Sequence, residues 1–271
     1  MSEINYNNYH DDNFSLDAAE RYSLLIQIDK TSFSYAIADQ DKLIAWADNH
    51  ALDELSDPQE LLDLLSAGYK QVIIGLPATG FTLIPQSLFN KDYVADFARF
   101  LDVKSDERVS AQSLDSENII VYKIHEAVIN ATEELGMHNT VFSAKGWITA
   151  AAKNNPDQHN LYLNLNRDQV EFVAFDSGKL RFYNKFEFNN SDELTYFTAL
   201  VTTELNLRPA EINLYISGDI DTDDKGINRL AEFFGKVQIN DQQVLTLPGE
   251  IEPHKILSLA ALALCVSSEE V

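Results

Sequence analysis

Two segments of the sequence carry the same order of apolar, polar and charged residues, 137 positions apart and without a gap. Residues 25–30 (Leu-Ile-Gln-Ile-Asp-Lys) align with residues 162–167 (Tyr-Leu-Asn-Leu-Asn-Arg), and Lys42 aligns with Lys179. A repeat of this length with mixed helix and strand patterns is not the short period of a solenoid. It predicts a duplicated lobe with a cleft between the two copies.

Each copy begins with the pattern of a three-stranded antiparallel meander. In the first copy, apolar residues stand at every second position over residues 24–28, 33–37 and 43–47. An apolar residue at every second position is typical of a strand that buries a face, and the connections between these runs are short and polar. The second copy repeats the three runs at the same offset.

A helix and a buried strand are predicted after each meander. Asp57 can cap the first helix and Gly68 can end it, and the apolar run at residues 72–74 is typical of a strand covered on both faces. In the second copy a helix over residues 192–206 precedes a strand at residues 212–216. This order of elements predicts an α/β fold with mixed sheets flanked by helices.

The composition divides the chain into a tail and two lobes. Residues 1–20 contain acidic residues and asparagines but no Lys or Arg, so we predict a disordered acidic tail, with an acidic docking segment as the alternative. The turn cluster at residues 154–157 predicts a boundary between lobe I at 21–156 and lobe II at 157–271. The apolar C-terminal helix can pack back on lobe I.

The charge of the chain argues against several classes of partner. The 43 acidic and 20 basic residues give a formal net charge of −23, which repels phosphate backbones and anionic lipid. We therefore expect no nucleic-acid partner and no direct insertion into a membrane. The single cysteine, Cys265, cannot form an internal disulfide, and no basic and apolar leader is visible at the N-terminus. These features predict a cytoplasmic protein of bacterial type.

The duplicated order of elements resembles the actin-like ATPase fold, which actin, sugar kinases, heat-shock chaperones and the pilus-assembly protein PilM share. The chain from about residue 22 to 266 is similar to a bacterial family of unknown function with that fold. The segments that carry the resemblance are residues 81–89, residues 161–188 and the run Ile216-Ser217-Gly218. The resemblance implies two ribonuclease-H-like lobes, and it implies no particular activity.

The resemblance also implies where a nucleotide would bind. In active members a tight turn with an aspartate and a glycine joins the first two strands of each lobe, and its backbone N–H groups approach the phosphates. Paired glycines after a later strand approach the adenosine. The matching positions in this chain are Asp29, Lys30, Thr31 and Ser32 in lobe I, and Asn166, Arg167, Asp168 and Gly218 in lobe II.

These positions depart from the pattern of active members. Neither turn contains glycine, Asn166 stands where an acid is expected, and Asp219 follows Gly218 in place of a second glycine. We therefore predict a vestigial nucleotide cleft without catalytic or metal-binding residues. No cofactor is expected, with ATP and magnesium as the alternative.

Three functions are left open by the sequence. The first is a non-catalytic scaffold that binds an unidentified protein partner, as PilM-like proteins recruit partners to an assembly. The second is a nucleotide-binding protein or a weak ATPase or sugar-kinase-like enzyme. The third is a polymer-forming actin relative, which the net charge of −23 opposes. The sequence fixes neither the partner nor the oligomeric state.

Overall fold

Two contact-defined units make up the chain in the computed structural model, which describes residues 8–56, 61–134, 137–221 and 224–265. One unit comprises Met1–Gly146 and Leu259–Val271, and the other comprises Trp147–Ser258. The division falls within a helix just upstream of the predicted boundary at residues 154–157. None of the helices in the described ranges has the length and apolar character needed to cross a bilayer.

The first unit contains a six-stranded mixed sheet with the order β1-β4-β3-β2-β5-β9 and an antiparallel three-stranded sheet with the order β6-β8-β7. Strands β2, β5 and β9 run parallel to one another, and the other pairings are antiparallel. The strands are β1 Asn8–His10, β2 Tyr22–Ile28, β3 Ser32–Asp39, β4 Lys42–Ala51, β5 Gln71–Leu76, β6 Gly80–Pro85, β7 Glu107–Ser113, β8 Asn118–His125 and β9 Thr140–Phe142.

Short helices connect these strands. They are α1 Asp53–Ser56, α2 Leu62–Leu65, α3 Val94–Ala98, α4 Glu126–Glu134 and α5 Lys145–Lys153, and α5 continues into the second unit. The helix predicted after the first meander is present as α2, and its predicted cap at Asp57 lies outside the described residues. The 3-10 turn Ala261–Leu264 contacts β2 and β5, and Leu262 lies against Gly75.

The second unit contains a five-stranded mixed sheet with the order β12-β11-β10-β13-β14. Its core is formed by the apolar faces of β10, β11 and β13 with helix α6 and residues around α7. The strands are β10 Asn160–Asn166, β11 Gln169–Asp176, β12 Lys179–Glu187, β13 Asn213–Gly218 and β14 Lys236–Ile239, and the helices are α6 Ser191–Glu204, α7 Lys225–Ala231 and α8 Pro253–Ala260.

The two meanders correspond strand by strand. Strands β11 and β12 begin 137 positions after β3 and β4. Both meanders also have an irregularity at the same place, between Ile37 and Ala38 in β3 and between Ala174 and Phe175 in β11. A bulge changes strand twist locally, so the two meanders share this irregularity at an equivalent position.

The prediction of a disordered tail is wrong for residues 8–20. Strand β1 pairs antiparallel with β4, and the N–H of Asp11 donates to the carbonyl of Ile44 at 2.8 Å. Asp11 also accepts from the Lys42 ammonium at 2.5 Å. Backbone pairing and this ion pair hold a segment whose polar composition gives no apolar signal. Residues 1–7 of the predicted tail lie outside the described residues.

A buried ion pair joins the strands of the three-stranded sheet. The Lys123 ammonium donates to Glu107 at 2.9 Å, and the two side chains are only 9% and 2% exposed. Glu107 also accepts from the Thr79 hydroxyl at 2.6 Å and from the backbone N–H of Lys104 at 2.9 Å. Burial raises the pKa of Glu107, but these hydrogen bonds lower it more, to about 2. The carboxylate is therefore charged at neutral pH.

Candidate functional site

The predicted phosphate turn of the first unit connects β2 to β3. The N–H of Asp29 donates to the carbonyl of Ser32 at 2.8 Å, and the carbonyl of Thr31 accepts from the N–H of Leu52 at 3.3 Å. Lys30 and Thr31 are exposed, whereas Ser32 is buried. None of the four turn residues has a positive φ. The turn therefore closes on itself through Asp29 and Ser32 without a glycine-like conformation.

The corresponding turn of the second unit connects β10 to β11. Asn166 pairs with Gln169, which leaves Arg167 and Asp168 as a two-residue loop. Arg167 has a φ of +49°. Glycine adopts this left-handed conformation freely, whereas a residue with a Cβ is strained by about 1–2 kcal/mol. The structure thus has a glycine-like backbone position in this turn, but an exposed arginine occupies it.

Gly218 lies at the end of β13, beside Leu165 of β10. Its φ is +108°, and a Cβ at this position would lie 1.9 Å from the carbonyl oxygen of Leu165. The N–H of Asp219 donates to that same carbonyl at 2.9 Å. The glycine is therefore required by the close approach of two strands of the protein itself.

A groove of about 350 Å³ lies at the carboxyl ends of β10 and β13. Its wall includes two cationic side chains, Arg167 and Lys225, and two carboxylates, Asp219 and Asp224. Open α/β sheets bind ligands at this end of their strands, so the position suits a small polar molecule. The two carboxylates, however, oppose the binding of an anion there.

Helices α6 and α7 begin at this groove, and side chains of the protein cap both of them. The Asn190 side chain accepts from the N–H of Glu193 at 3.0 Å, and the Asp224 carboxylate accepts from the N–H of Gly226 at 2.6 Å. The N-terminal N–H groups of a helix attract anions because they lack partners within the helix. Here a protein acceptor already occupies one such donor in each helix.

The predicted site residues fall into two groups. Asn166, Arg167 and Asp168 lie at the carboxyl end of β10, and Gly218 lies at the carboxyl end of β13. These ends are adjacent because β10 and β13 are parallel neighbours. The segment from Asp29 to Ser32 forms the turn of the other unit. Their assignment to a vestigial nucleotide site stays a prediction.

Sequence reasoning missed several residues of the groove, among them Asn190, Asp224 and Lys225. The acidic stretch from residue 219 to 232 has the appearance of a solvated loop. The available signal was positional, since each of these residues follows a strand and lies at the start of a helix. Caps at such positions surround the ligand-binding edge of an α/β sheet.

Other reactive side chains are placed in structural roles. Burial raises the pKa of the Cys265 thiol to about 11, which disfavours the nucleophilic thiolate. His254 is buried, and its Nε2 lies 3.0 Å from the carbonyl oxygen of Ile220. Within the described ranges, no group of three or more His, Cys, Asp or Glu residues is arranged to hold a metal ion.

The sequence matches one family model, described as "Protein of unknown function (DUF3822)", over residues 11–237. No curated protein is significantly similar to the chain.

Several solved structures share the fold at low sequence identity. A protein from Bacteroides thetaiotaomicron, with an actin-like ATPase fold and unknown function, superposes with a TM-score of 0.77 at 18% identity. The alignment covers 93% of this chain and 99% of that one. A type IV pilus biogenesis complex, PilM–PilN, gives 0.64 at 12% identity and covers 90% and 98% of the two chains. Ethanolamine utilization protein EutJ from Carboxydothermus hydrogenoformans gives 0.50 at 9%, covering 90% and 89%.

These similarities confirm the predicted fold. The chain has an actin-like ATPase fold, since two structures with substantial TM-scores cover nearly all of it. At identities of 18% and 12% they carry no information on activity.

Proposed function

The chain belongs to the DUF3822 family of proteins of unknown function, and we propose that it is a non-catalytic actin-like scaffold that binds a protein partner. The observation that supports this proposal best is that acceptors of the protein itself already bind backbone N–H groups at the carboxyl ends of β10 and β13. The N–H of Asp219 is bonded to Leu165, and that of Gly226 is bonded to Asp224. Donors held by the protein's own acceptors are not available to phosphate oxygens.

The charges around the groove support the same proposal. Asp219 and Asp224 lie in its wall, and the whole chain carries a net charge of −23. A nucleoside triphosphate would therefore need both local donors and a cation to overcome the repulsion. Arg167 and Lys225 supply two positive charges, which two carboxylates of the same wall balance.

We propose a protein partner because the chain shares its fold with a protein in a known complex. One of the similar structures is a PilM–PilN complex, so this fold is compatible with binding a protein. The correspondence of the two meanders, including their equivalent bulges, also supports a duplication origin of the two units. Such a frame offers two similar sheets, and each can carry different surface residues for a partner.

Thermal unfolding with nucleotide tests the proposal. A nucleotide with a dissociation constant of about 0.1 mM would stabilise the protein by about 1.4 kcal/mol at about 1 mM ligand. That corresponds to a rise in melting temperature of about 3–6 °C for a protein of this size. We expect no rise with ATP and magnesium, and a saturable rise would contradict the vestigial cleft.

Weak nucleotide binding is the second candidate, and a specific observation favours it. Asp29 is retained in the turn of the first unit, and Arg167 and Lys225 reach the groove of the second. A saturable thermal shift that Arg167→Ala and Lys225→Ala each reduce would favour this candidate.

A further inference from the structure

The chain itself shows how the outer edge of a meander is completed. In the first unit, β4 would be the edge strand, but β1 pairs with it antiparallel. Tyr9 lies opposite Trp46, and His10 lies opposite Ala45. The next residue, Asp11, binds Lys42 at 2.5 Å. The added strand is therefore followed by a carboxylate that contacts Lys42, the residue at which β4 begins.

The equivalent edge of the second unit has no such cover in the part of the chain that the structure describes. Strand β12 lies at the end of its sheet and pairs with β11 alone among the described strands. It runs for nine residues, whereas β14 at the opposite edge runs for four. A long edge strand presents a row of backbone donors and acceptors that another chain can pair with.

We infer that β12 is a docking edge for an extended, acidic segment of a protein partner. The segment adds to the sheet antiparallel to β12, as β1 adds to β4. This inference rests on the proposed function, because it names the surface through which the scaffold binds its partner. Strand addition is an established mode of peptide recognition in which backbone pairing gives affinity and alternate side chains give specificity.

The charge of β12 indicates that the segment is acidic. Three basic residues, Lys179, Arg181 and Lys185, lie on this strand with one acid, Glu187, although the whole chain has 20 basic and 43 acidic residues. The Arg181 guanidinium also donates to the carbonyl of Leu205 at 2.8 Å. Lys179 stands 137 positions after Lys42, the lysine that binds the carboxylate of Asp11. A partner carboxylate one residue beyond the added strand would meet Lys179 in the same way.

The surface beside this edge indicates apolar side chains at alternate positions of the segment. A groove of about 530 Å³ runs between β12 and α6. Phe182, Asn184 and Phe186 line it from the strand, and Leu200 lines it from the helix. Its two charged lining residues, Arg181 and Glu204, are of opposite sign. Residues at every second position of an added strand point to the same face, so two of them would cover this groove. The recognised pattern is apolar, any residue, apolar, then Asp or Glu.

Binding of a designed peptide to the full-length protein tests the inference. The probe is a fluorescent peptide, Thr-Ile-Tyr-Ile-Asp-Asp-Thr-Ser, in which the two Ile residues and the Asp that follows them match this pattern. We expect saturable binding in fluorescence anisotropy and slower amide exchange in Lys179–Glu187. Exchange at the edge strand slows because new backbone hydrogen bonds protect it.

Charge variants at the two edges of the sheet provide a matched comparison. Lys179→Glu combined with Lys185→Glu should weaken binding by roughly tenfold, since two attractions become repulsions. The control is Lys236→Glu on β14, a single charge reversal at the opposite edge, which should leave affinity within about twofold. A peptide with Lys in place of both Asp residues should also bind more weakly.

Several results would overturn the inference. The first is that the acidic peptide does not bind. The second is that the β12 double variant and Lys236→Glu bind the peptide with equal affinity. The third is that the peptide slows amide exchange at a segment other than β12. The exchange measurement on the wild-type protein needs no variant, so it decides even if a variant misfolds. Protection of β12 that depends on protein concentration would identify a second copy as its occupant and would also overturn the inference. ATP hydrolysis by the same preparation would contradict the proposed function without affecting the docking edge.

Discussion

Replacing Gly218 with alanine tests whether this glycine serves the packing of the protein itself. Gly218 has a φ of +108°, and an added Cβ would lie 1.9 Å from the Leu165 carbonyl oxygen. The unusual φ costs a residue with a Cβ about 1–2 kcal/mol. Moving the strands apart to relieve the clash adds about 1–3 kcal/mol. We therefore expect Gly218→Ala to lower the free energy of unfolding by about 2–5 kcal/mol.

Gly178→Ala is the matched control for this change. Gly178 also has a positive φ, +77°, but a Cβ there would meet no atom within 4 Å. Its substitution should cost about 1 kcal/mol, because the strain is partly offset by the lower conformational entropy of the unfolded chain. The difference between the two variants isolates the contact with Leu165.

Urea unfolding followed by circular dichroism measures both variants. We expect Gly218→Ala to unfold at lower urea than Gly178→Ala, and to melt at a temperature lower by roughly 2–16 °C, for a difference of about 1–4 kcal/mol. Equal stability of the two variants would refute the reasoning. It would mean that β10 and β13 accommodate a side chain, so that the glycine would need another explanation.

Three further predictions concern the turn, the buried ion pair and the N-terminal strand. Arg167→Gly should be more stable than Arg167→Ala by about 1 kcal/mol, since both lack the side chain and glycine adopts a φ of +49° without strain; equal urea midpoints would contradict this. Glu107→Gln should destabilise the protein by about 3 kcal/mol at pH 7. Because the pKa of Glu107 is lowered to about 2, the difference in unfolding free energy between wild type and Glu107→Gln is full above about pH 4.5 and is lost as the pH falls through 2. Urea titrations in which the two proteins keep the same difference at low pH would count against the ion pair. The Lys42 ammonium lowers the pKa of Asp11 to about 2, so Asp11→Asn should speed amide exchange in Asn8–His10 at pH 7, and unchanged exchange would show that backbone pairing alone holds β1.

The meanders were predictable because their signal is local and periodic. Alternating apolar residues predicted the strands that became β2, β3 and β4, and the constant offset predicted their counterparts in the second unit. The helix predicted over residues 192–206 is α6, Ser191–Glu204, with Asn190 as its cap. In each case, the burial of apolar side chains leaves a regular pattern in the sequence.

Two polar edge strands, β1 and β7, were not predictable in the same way. Strand β1 has the sequence Asn-Tyr-His, and β7 is the polar run Glu-Arg-Val-Ser-Ala-Gln-Ser. Both are held by pairing with a neighbour that is distant in sequence, β4 for β1 and β8 for β7. Polar edge strands have no buried face that would leave a periodic signal.

The candidate site was predictable in its position but not in its chemistry. The resemblance gave the turn at Arg167 and the glycine at Gly218, and the structure places both at the carboxyl ends of β10 and β13. The left-handed φ of Arg167 and the caps supplied by Asn190 and Asp224 depend on backbone geometry. No residue pattern specifies which donors a fold has already used.

Release of phosphate from ATP by the purified full-length protein tests the central claim most directly. The assay compares wild type with Asp29→Ala at millimolar ATP and magnesium, because Asp29 is the acid retained in the first turn. We predict that both proteins release phosphate at the rate of the buffer control. Turnover by wild type that disappears in Asp29→Ala would contradict the account and identify the chain as an active ATPase.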